Sequence, residues 1–312
     1  MTKVAIATIG DSERQSRLRE AFAELAGHDR HGVHTLVPIA AAELVLFVDL
    51  HEQPGDPGLK ALWRDQTVRN DPGRVRVLDI RDRPFFTFPG IYPSWTSGRR
   101  GSGWVAGGVY PFLPAVPTHA SVLSPPLLFS FVGAVTHPVR EEILAIRHTR
   151  ARIEDTSHSS AVIASGHTPA RQAAFLDSIA MSKFVLCPRG HGRSSFRIFE
   201  TLAAGRVPVI ISDGWLPPPG VDWAACSLRV RESDVADIPR ILQRQEERWE
   251  AMAAAALETW NQCFSRSARW HHWCETVSRI PTGRLRLPGL QYEHLRNAYV
   301  RQRSALLAVR NP

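Results

Sequence analysis

Arg193, Arg197 and Glu200 stand four and then three residues apart in the segment SKFVLCPRGHGRSSFRIFETLAAGRVPVIISDGW, which runs from Ser182 to Trp215. On a helix that spacing places two guanidinium groups and a carboxylate on one face. Two guanidinium groups can grip a diphosphate, and a carboxylate can accept hydrogen bonds from ribose hydroxyls. The same spacing equally describes a solvated ion-pair face, which is the commoner arrangement. From residue type alone both readings stay open.

The elements around these residues are compatible with an anion site without deciding for it. Phe184 to Cys187 read as a buried strand ending at Pro188. A polar loop with two glycines follows (Arg189, Gly190, His191, Gly192, Arg193), then Ser194 as a helix N-cap and a helix from Ser195 that stops at Gly205. The next strand is VPVII, from Val207. A loop and helix start at the carboxyl end of a parallel strand offer unpaired N–H groups to a phosphate.

The rest of the chain reads as two α/β halves. Val4–Ile9, Glu43–Leu50 and Arg74–Ile80 are apolar strand runs, and Ser12–Ala26 has the helical spacing of Leu18, Phe22 and Leu25. Arg83–Pro126 is rich in Pro, Gly and aromatics, so its regular elements should be short. Within it, Gly98–Gly108 is either a mobile loop beside a cleft or a plain surface loop. From Leu127 a second rhythm starts: a strand at Leu128–Gly133, a helix at Val139–Arg150, a short strand at Ala161–Ala164 and a helix at Pro169–Ser182. Later come a strand at Leu228–Val230 and helices at Val235–Gln245 and Glu246–Cys263, where Trp249, Met252, Ala256 and Trp260 form a core stripe. Alternating strands and helices imply parallel sheets. The expected division is a first domain over 1–126, a second over 127–280, and a tail over 281–312 whose helix at Gln291–Ala308 returns to the first domain.

The long segment resembles the exostosin-type glycosyltransferases, the family that includes heparan sulfate polymerases and plant cell-wall transferases. The resemblance is carried by FVLCPRGHGRSSFRIFETLAAGRVPVIISDGWLPPPGVDW and then VRESDVADIPRIL. Its parts are the CPRG loop (Cys187–Gly190), Ser195–Arg197 with Glu200, the PVI strand, Asp213–Trp215, Leu216 with Pro217, and Asp222 with Trp223. A weaker likeness reaches back to Phe129–Gly133 with Arg140. The segment PFFTFPGIYPS, from Pro84, is similar to bacterial members.

The resemblance implies a GT-B architecture, with two Rossmann-like domains facing a central cleft. It implies inverting transfer of a sugar from a nucleoside diphosphate sugar, UDP-linked, to a hydroxyl of a glycan or small-molecule acceptor. No metal or other cofactor is expected, because basic side chains and helix N-termini carry the leaving diphosphate. By position, Arg193 and Arg197 become diphosphate ligands, Ser194 and Ser195 supply donors, and Glu200 holds the ribose. Arg189 and Gly190 join that nucleotide site, and Arg140 reaches the donor phosphates. One departure falls on the sugar pocket: Leu216-Pro217-Pro218-Pro219 stands where the family often has LPF. The general base is expected from the first domain or the cleft, and Asp49, His51 and Asp82, which follow expected strands, are the candidates. A non-catalytic nucleotide-sugar or glycan-binding protein on the same fold is the alternative.

Composition sets limits. The 312 residues carry a net charge of +8, almost all positive charge being arginine, with Lys3, Lys60 and Lys183 the only lysines. Acids interleave with the arginines, so no nucleic-acid arm is expected. The four cysteines fit no zinc or CxxC spacing and read as reduced, buried thiols. No stretch reaches membrane-spanning length, which leads to a cytoplasmic expectation with peripheral membrane contact allowed. His271, His272 and Cys274 have no partner pair nearby in the sequence and read as structural or surface residues. Trp215 and Trp223 fit either sugar stacking or packing under a loop. The GRSSF segment lacks a GxSxG elbow, and the GHGRSS loop lacks the lysine of a Walker A motif.

Overall fold

The computed structural model describes residues 1–10, 12–48, 58–82, 84, 86–97, 103–112, 123–157 and 169–281. Its first half runs β1 (Thr2–Thr8), α1 (Glu13–Gly27), β2 (His34–Leu36), β3 (Leu44–Val48), α2 (Gly58–Arg64), α3 (Gln66–Asn70), β4 (Val75–Leu78), β5 (Gly90–Ile91) and β6 (Val105–Ala106). The six strands form one sheet in the order β2-β1-β3-β4-β5-β6, and every pairing is parallel. β3 and β4 are buried along nearly their whole length because helices and loops cover both faces. α1 starts with a capping box in which Ser12 N–H donates to Gln15 Oε1 at 2.8 Å and Gln15 N–H to Ser12 Oγ at 3.4 Å. Leu18, Phe22 and Leu25 make its buried face.

The second half runs β7 (Leu127–Gly133), α4 (Pro138–Ala145), β8 (Ala151–Asp155), α5 (Pro169–Ala180), β9 (Ser182–Pro188), α6 (Phe196–Ala203), β10 (Val207–Ile211), α7 (Trp223–Cys226), β11 (Leu228–Arg229), α8 (Ile238–Gln245), α9 (Trp249–Thr259) and α10 (Arg269–Arg279). Its parallel sheet is ordered β11-β10-β9-β7-β8. The expected helix to Arg150 stops at Ala145, and the next strand is Ala151–Asp155. That strand lies at the sheet edge, half-exposed and bearing Arg152 and Glu154, so it lacks the apolar run that marks a buried strand. The strand expected at Ala161–Ala164 lies outside the described residues. The Trp249, Met252, Ala256 and Trp260 stripe is buried as expected, with α9 passing into a π-helical turn at Trp260–Phe264.

Each half has a hydrophobic cluster of its own, and a third cluster joins them. The joining cluster runs from Val4, Leu18 and Phe22 to Val185, Ile198, Trp260, Trp270 and Trp273. The seam also has backbone pairing: Thr96 bridges Trp215, and Ser97 N–H donates to the Gly214 carbonyl at 2.7 Å. Gly214 sits there at φ +75°, which favours glycine.

The chain crosses back onto the first half at α10. Trp273 packs 5.0 Å from the Phe22 ring. The buried Arg76 guanidinium donates to the Val277 and Ile280 carbonyls at 3.3 and 2.8 Å. The Trp270 indole donates to the His34 carbonyl at 3.2 Å. The return to the first half therefore precedes residue 281, and the expected tail helix lies outside the described residues. Truncating either buried tryptophan to Ala should cost about 3–5 kcal/mol.

Candidate functional site

The strand order of the second sheet reverses between β7 and β9: the chain adds β8 on one side of β7, then crosses to β9 on the other. In open α/β sheets ligands bind outside the carboxyl ends of the strands at such a switch point. A cavity of about 600 Å³ opens there. Gly133, the last residue of β7, and Gly190, just past β9, lie at its base. Ser194, Ser195, Phe196 and Arg197, at the start of α6, form one wall. Asp82, just past the carboxyl end of β4, and Tyr110 bring the first half into the same cavity.

Arg197 and Arg140 are the two arginines that line this cavity. Arg197 lies in the first turn of α6, with its guanidinium carbon 4.9 Å from the Phe131 ring centre and 5.3 Å from that of Phe175. Its Nη2 donates to the Val132 carbonyl at 2.7 Å, while Nε is buried without a hydrogen-bond partner among the described residues. Burial lowers its pKa, against the opposing effect of Cys187 and Glu200. Gly133 makes room for it, since a Cβ there would stand 2.6 Å from Arg197 Nη2.

Arg140, on α4, is held differently. It donates to the carbonyls of Ala134, Arg189 and Pro188 at 2.8, 2.9 and 3.2 Å, which ties the ends of β7 and β9 together. Burial, and then the Arg197 charge, lower its pKa to about 9. Two guanidinium groups thus raise each other's cost at the cavity, a cost that a bound anion relieves. Cys187, beneath them, is pushed by burial up to about 12 and stays a neutral thiol.

Glu200 is also on the cavity wall and is only 4% exposed. Ser195, and not Ser194, is the N-cap of α6, and its side chain makes no capping bond. The amide end of the helix therefore meets the cavity with its partial positive charge uncapped by a side chain.

Arg193 precedes the helix, so it does not share a helical face with Arg197. Its Nη1 donates to the Asp213 carbonyl at 2.6 Å and lies 3.4 Å from Glu232 Oε1. Arg189 Nη1 stands 3.9 Å from the same carboxylate. Neither arginine lines the cavity. The physical reason is the long loop: Ser212 Oγ donates to the Arg193 carbonyl at 2.8 Å, which anchors that residue toward β10.

Of the candidate bases, Asp82 reaches the cavity, while Asp49 and His51 lie outside the described residues. Asp82 faces the glycine loop closely. A Cβ on Gly192 would lie 2.5 Å from Ser94 Oγ and 2.8 Å from Asp82 Oδ1. Tyr110, which sequence reasoning missed, shares a 2.8 Å hydrogen bond with Ser94 Oγ. Burial, with Asp82 adding, pushes its phenol up to about 12, so it remains a hydroxyl. Thr136, Gln172 and Phe175 were missed as well. Tyr110 lies in the Pro/Gly-rich stretch with no local pattern around it, and only Phe175, on an apolar helix face, carried a sequence signal. Trp215 is 1% exposed and meets Trp223 edge-on at 5.1 Å, which makes that pair packing.

Residues 114–245 match the Exostosin GT47 domain. Over 72 residues, 22% of the chain, it is 43% identical to an exostosin-1 homolog of Caenorhabditis elegans. Over 75 residues, 23% of the chain, it is 47% identical to a probable glucuronoxylan glucuronosyltransferase of Arabidopsis thaliana. The chain matches 19% and 17% of those relatives' lengths. Among solved structures, the DNA-modifying enzyme β-glucosyltransferase aligns over 89% of this chain and 99% of its own, at 13% identity and a TM-score of 0.41. The matched residues take in the whole second sheet, from β7 to β11, together with α4 to α8. Among the described residues, no helix is long and apolar enough to cross a membrane.

Proposed function

We propose that this chain is an inverting glycosyltransferase that moves a hexosyl or pentosyl group from a UDP-sugar to a hydroxyl of a glycan or small-molecule acceptor. The reading places it in polysaccharide biosynthesis. The observation that carries it is the wall of the switch-point cavity, where Arg197 and the buried Glu200 lie one turn apart on α6 and Asp82 enters from the other half.

In this mechanism the diphosphate lies against Arg197 and the amide end of α6, with Arg140 behind. Glu200 accepts hydrogen bonds from the ribose. Asp82 takes the proton of the acceptor hydroxyl as its oxygen attacks the anomeric carbon from the face opposite the diphosphate. The bond from that carbon to the diphosphate oxygen breaks in the same step, so configuration inverts. Negative charge builds on the leaving diphosphate, and the fixed guanidinium and amide groups stabilise it where it develops. The reading calls on no metal for this charge. Tyr110, as a hydroxyl, is placed to orient the acceptor.

The test is calorimetry with UDP and a panel of UDP-sugars, followed by release of UDP with and without acceptors. Micromolar UDP binding and acceptor-dependent release are expected. Absence of any nucleotide binding overturns the reading, while binding without turnover across the panel favours a binding protein.

A further inference from the structure

His34, on β2, and His271, on α10, lie 237 positions apart in the sequence, yet their rings are 5.1 Å apart. Glu275 is one turn beyond His271 on the same helix, and its Oε1 stands 3.1 Å from His34 Nε2. One ligand atom from each of the three residues lies within 4.8 Å of the others. We propose that His34, His271 and Glu275 form a zinc-class divalent metal site that staples α10 to the first sheet.

The donor set suits that chemistry. Two imidazoles and one carboxylate are ligands that Zn²⁺ takes in four-coordinate sites, at about 2.0–2.2 Å. Two ligand atoms at those distances and a tetrahedral angle are about 3.4 Å apart, close to the 3.1 Å of the His34–Glu275 contact. Closing the 4.8 Å span of the three ligand atoms to that separation takes a shift of about 1.4 Å, shared among the side chains. Nδ1 of His271 is buried without a hydrogen-bond partner among the described residues. An ion pair between His34 and Glu275 uses two of the three groups, whereas a divalent ion uses all three.

The surroundings favour a fixed site. The His34 side chain is 2% exposed, and the Trp270 indole holds its carbonyl. Arg279 Nη2, 2.9 Å from Glu275 Oε2, steadies the far carboxylate oxygen. A cavity of about 520 Å³ opens beside His271 and Glu275, so water or a small ligand can occupy the fourth position. The ion would join a strand and a helix that the chain brings together only after threading both halves.

The test uses the full chain without a purification tag. Stripped protein is titrated with Co²⁺ and then Zn²⁺, following the visible band of four-coordinate Co²⁺ and the melting temperature. Expected are one equivalent bound, displacement of Co²⁺ by Zn²⁺, and a higher melting temperature with metal. His271→Ala and Glu275→Gln should each lower the affinity at least tenfold and remove the Co²⁺ band. His148→Ala, distant from the cluster, should leave both unchanged. His271 and Glu275 are partly exposed, and circular dichroism of the metal-free variants checks that they fold. Failure of the wild type to bind one equivalent, or unchanged binding in both variants, overturns the proposal. Neither outcome bears on the nucleotide site.

Discussion

The Arg197 guanidinium carbon sits 4.9 Å from the centre of the Phe131 ring, at the point where β7 ends and α6 begins. The ring shields one side of a cation that burial already disfavours. A charge held at such cost usually serves a ligand. Arg197→Met keeps an unbranched stem and removes the guanidinium with its charge. UDP affinity should fall about ten- to hundredfold, the loss of about 1.5–3 kcal/mol from a charged hydrogen bond. Stability should fall modestly, because the bond to the Val132 carbonyl and a cation facing the buried Glu200 are lost, and relief of desolvation offsets only part of this. Calorimetry and thermal melts measure both, and undiminished UDP affinity would sink the site.

Asp82 supplies the second half of the chemistry. Asp82→Asn keeps the shape and removes the base. Turnover should drop by about 10²–10⁴-fold while UDP binding stays within a few fold. A variant that keeps more than half of wild-type turnover, measured by UDP release, removes Asp82 from the reaction.

Gly192 lets the loop of the second half touch the first. A Cβ there would press on Ser94 Oγ and Asp82 Oδ1 and stand 3.1 Å from the Asp82 carbonyl. Gly192→Ala should force Asp82 and Ser94 to shift, at a cost of about 1–3 kcal/mol. Turnover should fall further than UDP affinity does. Equal losses in both place the strain elsewhere.

Glu246 offers a test by pH. Its hydrogen bond from Arg150, at 2.6 Å, and its contact with Lys183, at 2.8 Å, lower its pKa to about 2, against an opposing effect of burial. The folded pKa lies below the unfolded one. The contribution is therefore fully present above the unfolded value, near 4.5, and fades as pH falls toward 2. Wild type should melt above Glu246→Gln at neutral pH, by a modest amount since Arg150 is largely exposed. The gap should close progressively between pH 4.5 and 2. A gap that persists unchanged below pH 2 removes the ion pairs as its cause.

Much of the fold was legible because its signals are local. The apolar runs of β3, β7 and β9 mark buried parallel strands, and the spacing of Leu18, Phe22 and Leu25 marks α1. β8 escaped because an edge strand with charged residues alternates weakly. The α10 crossing escaped because the spacing of Trp270 and Trp273 shows an apolar face without showing what it packs against.

The strand from Ser182 and the helix that carries Arg197 and Glu200 were determined by the sequence alone, since strand burial, the helix stop at Gly205 and the spacing of those two residues depend on neighbours within one or two turns. Tertiary structure alone decided that Arg193 turns away to Asp213 and Glu232, that Asp82 and Tyr110 enter the cavity, and that His34 meets His271 and Glu275. Each of those depends on contacts between residues at least 19 positions apart. Side-chain spacing specifies a helical or strand face, but which distant surface covers that face is set by the packing of the whole core.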